Sequence, residues 1–166
     1  MNISLNLDKS FDVEGLNLQA IEVLNIVSKK TIKIPEWIFH LPLLKTLYLN
    51  MDKLTEIDRR VFDIETLESL TLKNTQISFL EIPKEHKTKL KNLNLTQNAL
   101  TSLPMGLEFL NKLELFNISN NPIEKCDFSF FKLSHLKFLY ADRVGFVLDQ
   151  EALKEHPSLR VISNEK

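Results

Sequence analysis

Apolar residues recur along this chain with a fixed step of 23 positions. The first row of the repeat is Ile21, Leu44, Leu67, Leu90, Leu113, Leu136 and Leu159. A period of this size indicates one supersecondary unit that stacks on copies of itself, because a single unit cannot bury its own apolar face. The step therefore predicts a repeat solenoid, an architecture that presents long surfaces to partners rather than closed clefts.

Two further apolar rows follow the first, three and five residues later in each repeat. They are Leu24, Leu47, Leu70, Leu93, Phe116, Leu139 and Ile162, and then Ile26, Leu49, Leu72, Leu95, Ile118 and Ala141. Polar residues separate these rows, and the resulting period of two predicts one short strand per repeat with one buried face. The connecting stretches 35–41 and 104–110 are too short for long helices, so they predict 3₁₀ or one- to two-turn helical returns.

The best-formed repeat runs from Leu90 to Pro104 and reads LKNLNLTQNALTSLP. Its pattern L-x-x-L-x-L-x-x-N-x-L-x-x-L resembles that of the leucine-rich repeat family, and the resemblance covers roughly residues 21–164. It implies an α/β solenoid, a curved right-handed array with a parallel β-sheet on the concave face and short returns on the convex face. The prolines at Pro35 and Pro104 and the repeat length are similar to bacterial, spirochaete (Leptospira-like) members of the family.

The repeat boundaries predict a single domain over residues 1–166. We expect residues 1–20 to form an N-terminal cap with an edge strand through Ile3, Leu5 and Leu7, because an uncovered first repeat would expose apolar surface and a strand edge. Residues 21–158 contain six 23-residue repeats. Residues 159–166 then form a partial last repeat or a C-terminal cap.

One polar position follows each strand, and in the family it is occupied by asparagine, which satisfies backbone groups where the chain turns. Here the position holds Lys29, Asp52, Thr75, Asn98, Asn121 and Val144. Asp52 and Thr75 can partly replace asparagine, whereas Lys29 and Val144 cannot. We therefore expect the terminal repeats to turn less regularly than the middle ones.

The residue after each first-row position alternates in charge along the array. The row is Glu22, Lys45, Glu68, Lys91, Glu114 and Lys137, and it ends with Arg160. Neighbouring repeats place these residues side by side, so the row predicts a charge ladder that favours the correct strand register. We interpret the ladder as structural, because neutralised charges attract no particular charged partner.

The exposed strand positions indicate where a partner could bind. The candidate protein-binding residues are Tyr48, Asn94, Leu115, Asn117, Phe138, Tyr140, Asp142 and Arg143. The middle of the predicted face is small and polar, but Leu115, Phe138 and Tyr140 lie in adjacent repeats and form an apolar and aromatic cluster. Such a cluster beside hydrogen-bonding groups is typical of an interaction hot spot. The alternative is that another segment covers this end of the array as a cap.

Composition and motifs exclude several functional classes. The net charge is −1, with 21 basic and 22 acidic residues, so no basic excess predicts a nucleic-acid partner. No apolar run is long enough to insert into a membrane. The single cysteine, Cys126, falls on a core position and predicts a buried thiol, and no cofactor or metal motif occurs. No catalytic constellation is present either, so we expect a protein that is not an enzyme.

The functional hypothesis is a protein-protein interaction module that binds a partner protein on its concave face. If the spirochaete resemblance holds, the protein is secreted or displayed on the cell surface and contacts host proteins. The rival is an intracellular bacterial scaffold or regulator, since residues 1–8 do not resemble a signal peptide and one cysteine suits a reducing compartment. We expect a monomer or weak self-association through the C-terminal edge strand.

Overall fold

The computed structural model describes residues 1–9, 12–126, 132–146, 148, 154 and 156–163. Within them the chain forms one parallel sheet of eight strands whose spatial order follows their order in the sequence. The strands are β1 (Asn2–Asn6), β2 (Val23–Ser28), β3 (Thr46–Met51), β4 (Ser69–Lys73), β5 (Asn92–Asn94), β6 (Leu115–Asn117), β7 (Phe138–Tyr140) and β8 (Arg160–Ile162). Short 3₁₀ helices occupy Leu18–Ala20, Glu36–His40, Arg59–Asp63 and Leu107–Phe109.

Paired residues on neighbouring strands from β2 to β7 are 23 positions apart in the sequence. Val23 pairs with Thr46, and the same position is then occupied by Ser69, Asn92, Leu115 and Phe138. The second and third apolar rows turn inward along these strands and form a continuous buried core with the first row. This open sheet with short 3₁₀ returns confirms the predicted α/β solenoid.

The two ends of the sheet depart from the 23-residue step. At the N-terminal end β1 extends the sheet as the predicted edge strand, with Ile3 beside Leu24 and Leu5 beside Ile26. At the other end Val161, not Ile162, pairs with Leu139. The placement of Ile162 in the second apolar row is therefore wrong, and the step from β7 to β8 is one residue shorter than the others.

Asparagine side chains hold the turns in the middle of the array. Asn98 Nδ2 donates to the carbonyl oxygens of Leu72 at 2.9 Å and Leu95 at 2.8 Å, while its Oδ1 accepts from the hydroxyl and the backbone N–H of Thr75. One repeat later Asn121 Nδ2 donates to the equivalent carbonyls, those of Leu95 and Ile118, whereas its Oδ1 accepts the N–H of Leu100. Each amide thus links two repeats and satisfies backbone groups that the strands leave unpaired.

The residue before the turn position is left-handed in the later repeats. Asn74, Gln97, Asn120 and Arg143 have φ values of 51°, 58°, 59° and 54°. The equivalent residues Ser28 and Met51 instead continue β2 and β3, which explains why these strands are longer. The prediction of irregular terminal turns is confirmed at the N-terminal end. It is wrong for the sixth repeat, where Arg143 keeps the left-handed turn although Val144 replaces asparagine.

Asp8 replaces the missing asparagine at the N-terminal end. Its carboxylate accepts from Ser28 Oγ at 2.7 Å and from the backbone N–H groups of Lys29 at 2.8 Å and Lys30 at 3.2 Å. These hydrogen bonds, led by the one from Ser28, hold the pKa of Asp8 below its usual range. The first repeat is therefore closed by the cap and not by its own turn residue.

We expect the Asp8 cap to make the first repeat sensitive to acid. A carboxyl group whose pKa is lowered in the folded state stabilises it above the unfolded pKa, and this contribution is lost as the pH falls through the folded pKa. In Asp8→Asn the melting temperature should therefore be lowered at pH 7, and the difference from the original chain should shrink below about pH 4. Thermal unfolding followed by circular dichroism at pH 7, 5 and 3 measures this. An equal difference at all three pH values would contradict the role of the carboxylate charge.

Arginine stacking joins the first two returns on the convex side. The guanidinium of Arg60 lies 4.3 Å from the ring centroid of Phe39 and contacts the carboxylates of Asp58 at 2.7 Å and Glu36 at 3.0 Å. This arrangement lowers the pKa of both carboxyl groups. It is not visible in the repeat pattern, because the three charged residues belong to different rows.

Candidate functional site

The open face of the sheet carries two rows of side chains that the core does not use. We call this surface the concave face. One row contains Val23, Thr46, Ser69, Asn92, Leu115 and Phe138, and the other contains Asn25, Tyr48, Thr71, Asn94, Asn117 and Tyr140. All of these residues are half-buried, since their neighbours on adjacent strands cover their sides and leave their ends accessible.

Apolar side chains meet at the C-terminal end of this face. Leu115 pairs with Phe138 between β6 and β7, and Tyr140 occupies the next outward position of β7. On β8, Arg160 pairs with Phe138 and Ile162 pairs with Tyr140. The side chain of Ile162 is 41% exposed, so it adds apolar surface to the face. We call Leu115, Phe138, Tyr140 and Ile162 the apolar cluster.

Two amide groups border the apolar cluster. Asn94, Asn117 and Tyr140 lie in register on β5, β6 and β7. Asn94 Oδ1 accepts the backbone N–H of Thr96 at 3.0 Å, and Asn117 Oδ1 accepts that of Ser119 at 2.9 Å. Because an N–H can only bond to the amide oxygen, each Nδ2 is directed away from the turn. The concave face therefore offers amide donors next to the cluster.

The charged residues predicted beside the cluster follow β7 directly. Asp142 Oδ2 lies 3.9 Å from Arg143 Nε, and the Arg143 side chain is 72% exposed because its left-handed backbone directs it away from the core. The backbone of Asp142 is fixed by hydrogen bonds from its N–H to Ser119 Oγ at 3.0 Å and from the Asn120 N–H to its carbonyl oxygen at 2.8 Å. Both residues are thus held at the rim of the face.

Tyr48 does not belong to this group. It lies on β3, four strands from Tyr140, which corresponds to roughly 19 Å at a strand spacing of about 4.8 Å. Its neighbours on the same row are Asn25 and Thr71. The sheet therefore brings together seven of the eight predicted residues and leaves Tyr48 as an isolated aromatic on the same face.

The charge ladder forms at the edge of the concave face as discrete pairs. Among the described residues its direct ion pairs are Glu22–Lys45 at 2.7 Å, Glu68–Lys91 at 3.0 Å and Glu114–Lys137 at 2.6 Å. The neighbouring lysine lowers the pKa of Glu22 and of Glu114. Arg160 is not the last member of this ladder, contrary to the prediction, because the shorter last step moves it onto the concave face.

Two histidine side chains away from the concave face bond to backbone carbonyls. His86 Nε2 lies 3.0 Å from the Phe109 carbonyl oxygen, and His156 Nε2 lies 3.1 Å from that of Leu133. Both histidines therefore connect the returns of neighbouring repeats. Cys126 packs against the core but is only half-buried, so the prediction of a buried thiol is wrong in degree.

A shallow pocket of about 280 Å³ lies away from the concave face, where two returns lead into their strands. Lysines dominate its charged lining, with Lys87, Lys89 and Lys112 around Thr88. Lys87 is 3.7 Å from Glu65. These lysines are exposed, and no described residue encloses the pocket as a binding cleft would require.

The described part of the chain contains neither a cluster of metal ligands nor a helix that could span a membrane. No three His, Cys, Asp or Glu side chains come close enough there to hold a metal ion. None of the helices in the same residues has the length and apolar character to span a membrane.

Comparison with known proteins identifies similar folds but no similar sequence. No protein-family model matches the chain, and no curated protein matches it either. Among solved structures, a leucine-rich repeat protein from Leptospira interrogans matches with a TM-score of 0.70 and 23% identity, over 87% of this chain and 37% of that one. An internalin from Listeria monocytogenes matches with a TM-score of 0.69 and 20% identity, over 89% and 42%.

A third similar structure is YopM from Yersinia enterocolitica, with a TM-score of 0.58, 22% identity and coverage of 86% of this chain and 28% of that one. The chain therefore spans less than half the length of each of these proteins. All three similarities lie below 25% identity and show a shared fold.

Proposed function

We propose that this chain, which has the leucine-rich repeat fold of the bacterial proteins it resembles, is a protein-protein interaction module that binds a partner on its concave face. The observation that carries the proposal is the apolar cluster on β6, β7 and β8. Aromatic and aliphatic side chains that are fixed by strand pairing lose little entropy on binding, which makes them effective anchors.

The surroundings of the cluster support a binding role. Hot spots combine a desolvated apolar centre with a polar rim. Here Asn94 and Asn117 lie on one side of the cluster, and Asp142 and Arg143 lie beyond the end of β7. The fold itself supports an interaction module rather than an enzyme, and we infer no catalytic activity for this chain.

The double substitution of Phe138 and Tyr140 to Ala tests the proposal. Proteins captured from host and bacterial extracts by the immobilised chain are identified, and the affinity of each is measured for the original and the substituted chain. We expect binding of the true partner to weaken at least about 30-fold, because loss of two central aromatic anchors costs about 2 kcal/mol or more. The melting temperature should change by less than about 5 °C, because both side chains are only half-buried.

Tyr48→Ala is the matched control, since it removes an aromatic from the same row of the concave face but lies four strands away. Its partner affinity should remain within about twofold of the original, because most interface positions outside a hot spot are energetically near neutral. Equal losses in Tyr48→Ala and the double variant, or a large fall in melting temperature of the double variant, would contradict the proposed site.

The proposal has two versions that differ in where the partner resides. In the first, the protein is secreted or displayed on a bacterial surface and binds a host protein, and the structural similarity to an internalin favours this version. In the second, it is an intracellular scaffold or regulator, and the single cysteine favours this version because no disulfide stabilises the chain. Fractionation of native cells with an antibody separates the two. Monomer or weak self-association through β8 stays a prediction.

A further inference from the structure

The last strand enters the sheet one residue early, and this changes the chemistry of the concave face. The N–H of Leu159 donates to the carbonyl three residues before it, that of His156, and the first-row residues Leu113 and Leu136 make the same bond in their repeats. The next N–H, that of Arg160, donates to the Lys137 carbonyl. In the preceding repeat the N–H groups of Lys137 and Phe138 both donate to the ladder carbonyl of Glu114, at 2.8 and 3.1 Å. The register of β8 decides the placement: Arg160 pairs with Phe138, and the Ala141 N–H donates to the Ile162 carbonyl at 3.0 Å, so Arg160 lies in the concave row beside Phe138.

Arg160 is a cation without a neutralising partner among the described residues. The Lys137 ammonium, on the neighbouring strand, is paired with Glu114 at 2.6 Å. The Asp142 carboxylate lies 3.9 Å from Arg143. No carboxylate lies within ion-pair distance of the Arg160 guanidinium in the described part of the chain, and the residue is exposed. The apolar cluster is thus bordered on its C-terminal side by a guanidinium that no described carboxylate neutralises.

The opposite border of the cluster also donates hydrogen bonds. The oxygens of Asn94 and Asn117 each accept one backbone N–H of their own turn, and their Nδ2 groups are available to donate to a partner. A guanidinium presents a planar fork of donors that matches a carboxylate, and it accepts nothing. Beside the Asp142–Arg143 and Glu114–Lys137 pairs, the described surface around the cluster thus offers amide donors and one guanidinium whose charge no described carboxylate neutralises.

We propose that the partner segment recognised by the apolar cluster is acidic, with an Asp or Glu carboxylate on Arg160 and a bulky apolar side chain next to it on Phe138 and Tyr140. The inference rests on the proposed function, because it assigns the partner chemistry of the same surface. Charge complementarity favours an acidic segment over the two alternatives. A basic segment would place like charges against Arg160. A neutral apolar segment would remove the guanidinium from water without providing a counter-charge.

A selection from a random 12-residue peptide display library on the immobilised full chain tests this inference. The clones are first sorted by whether binding is lost in the Phe138/Tyr140 double-Ala variant. Among the dependent clones, we expect enrichment of Asp or Glu adjacent to an aromatic or large aliphatic residue. Arg160→Glu should weaken their binding about tenfold or more and Arg160→Gln less, because reversal adds repulsion to the loss of the pair.

Lys73→Glu is the control, since it reverses a cation on the same face but on β4, four strands from β8. It should leave the affinity of these peptides unchanged. Added salt should weaken binding to the original chain more than binding to Arg160→Gln. Salt screens the attraction between the Arg160 charge and the acidic peptide, and the variant lacks that charge.

Three outcomes are informative. Dependent clones without acidic enrichment, or with equal affinity for Arg160→Glu and the original chain, would overturn the acidic partner and leave the proposed function intact. If Arg160→Glu and Lys73→Glu weakened binding equally, the effect would come from the net charge of the face and not from a contact with Arg160, and the assignment to Arg160 would be overturned. A selection without any clone that depends on Phe138 and Tyr140 would overturn both the inference and the proposed function.

Discussion

Asn121→Ala should lower the free energy of unfolding by about 3–5 kcal/mol, because it leaves several buried backbone groups without a partner. Asn121 is 3% exposed. Its Nδ2 donates to the carbonyls of Leu95 at 2.7 Å and Ile118 at 2.9 Å, and its Oδ1 accepts the Leu100 N–H at 3.1 Å. The side chain therefore serves two repeats at once, and alanine can replace none of these bonds.

Urea denaturation followed by circular dichroism measures the effect, with Asn111→Ala as the matched control. Asn111 is exposed in the return of the fourth repeat, and its side chain forms no hydrogen bond in the described residues. Its substitution should change the stability by less than about 0.5 kcal/mol. Because Asn121 fixes the turn after β6, its loss should also weaken partner binding through Leu115 and Asn117. A change below about 1 kcal/mol would show that water replaces the amide and that the turn is not buried as described.

Gly106→Ala should destabilise the chain by about 2–4 kcal/mol through backbone strain and a direct clash. Gly106 has a left-handed φ of 72°, which an alanine adopts only at a cost. A Cβ placed there would lie 2.2 Å from the carbonyl oxygen of Ile82. The Ile82 backbone cannot move away freely, because its N–H donates to the Met105 carbonyl at 2.8 Å.

Gly15→Ala is the control for the Gly106 substitution. A Cβ at Gly15 would find its nearest atoms at 3.9 Å, in Asp12, so this substitution should change the stability by less than about 1 kcal/mol. Differential scanning calorimetry of both variants compares them under one condition. If Gly106→Ala melted at the same temperature as Gly15→Ala, the close approach of the third and fourth returns at this point would be incorrect.

The core was predictable because burial in a solenoid repeats with the sequence. Leu47, Leu70 and Leu93 occupy one row of the pattern and one level of the sheet, and each is fully buried. The short returns followed from length alone, since the seven-residue stretches 35–41 and 104–110 leave no room for a long helix. The ladder pairs were also predictable, because equal positions in neighbouring repeats must lie side by side.

The last strand shows where the pattern fails. Val161 and Ile162 are both apolar, so a 23-residue and a 22-residue step satisfy the periodicity equally well. The structure places Val161 beside Leu139 and leaves Ile162 on the concave face. No count of apolar residues distinguishes these registers, since the choice depends on how the return before Leu159 enters the sheet. A shift of one residue turns every side chain of a strand to the opposite face, and for this reason the 23-residue step places Arg160 in the wrong row.

The role of Asp8 in closing the first repeat could not be predicted from the sequence, for a related reason. Asp8 lies outside the repeats, and its bonds to Ser28, Lys29 and Lys30 join segments about twenty residues apart. Sequence spacing shows that a turn asparagine is missing from the first repeat. It does not show which distant carboxylate takes its place.

The sequence by itself determined the repeat unit, the parallel sheet, the buried rows and the position of Leu115, Phe138 and Tyr140 on adjacent strands. These features depend on periodicity, and a period in the sequence becomes a period in space when identical units stack. Only the tertiary structure decided the register of β8, the cap formed by Asp8 and the position of Arg160 on the concave face, away from any described carboxylate. Each of these lies where the period ends, and there the packing of one chain segment on another sets the geometry.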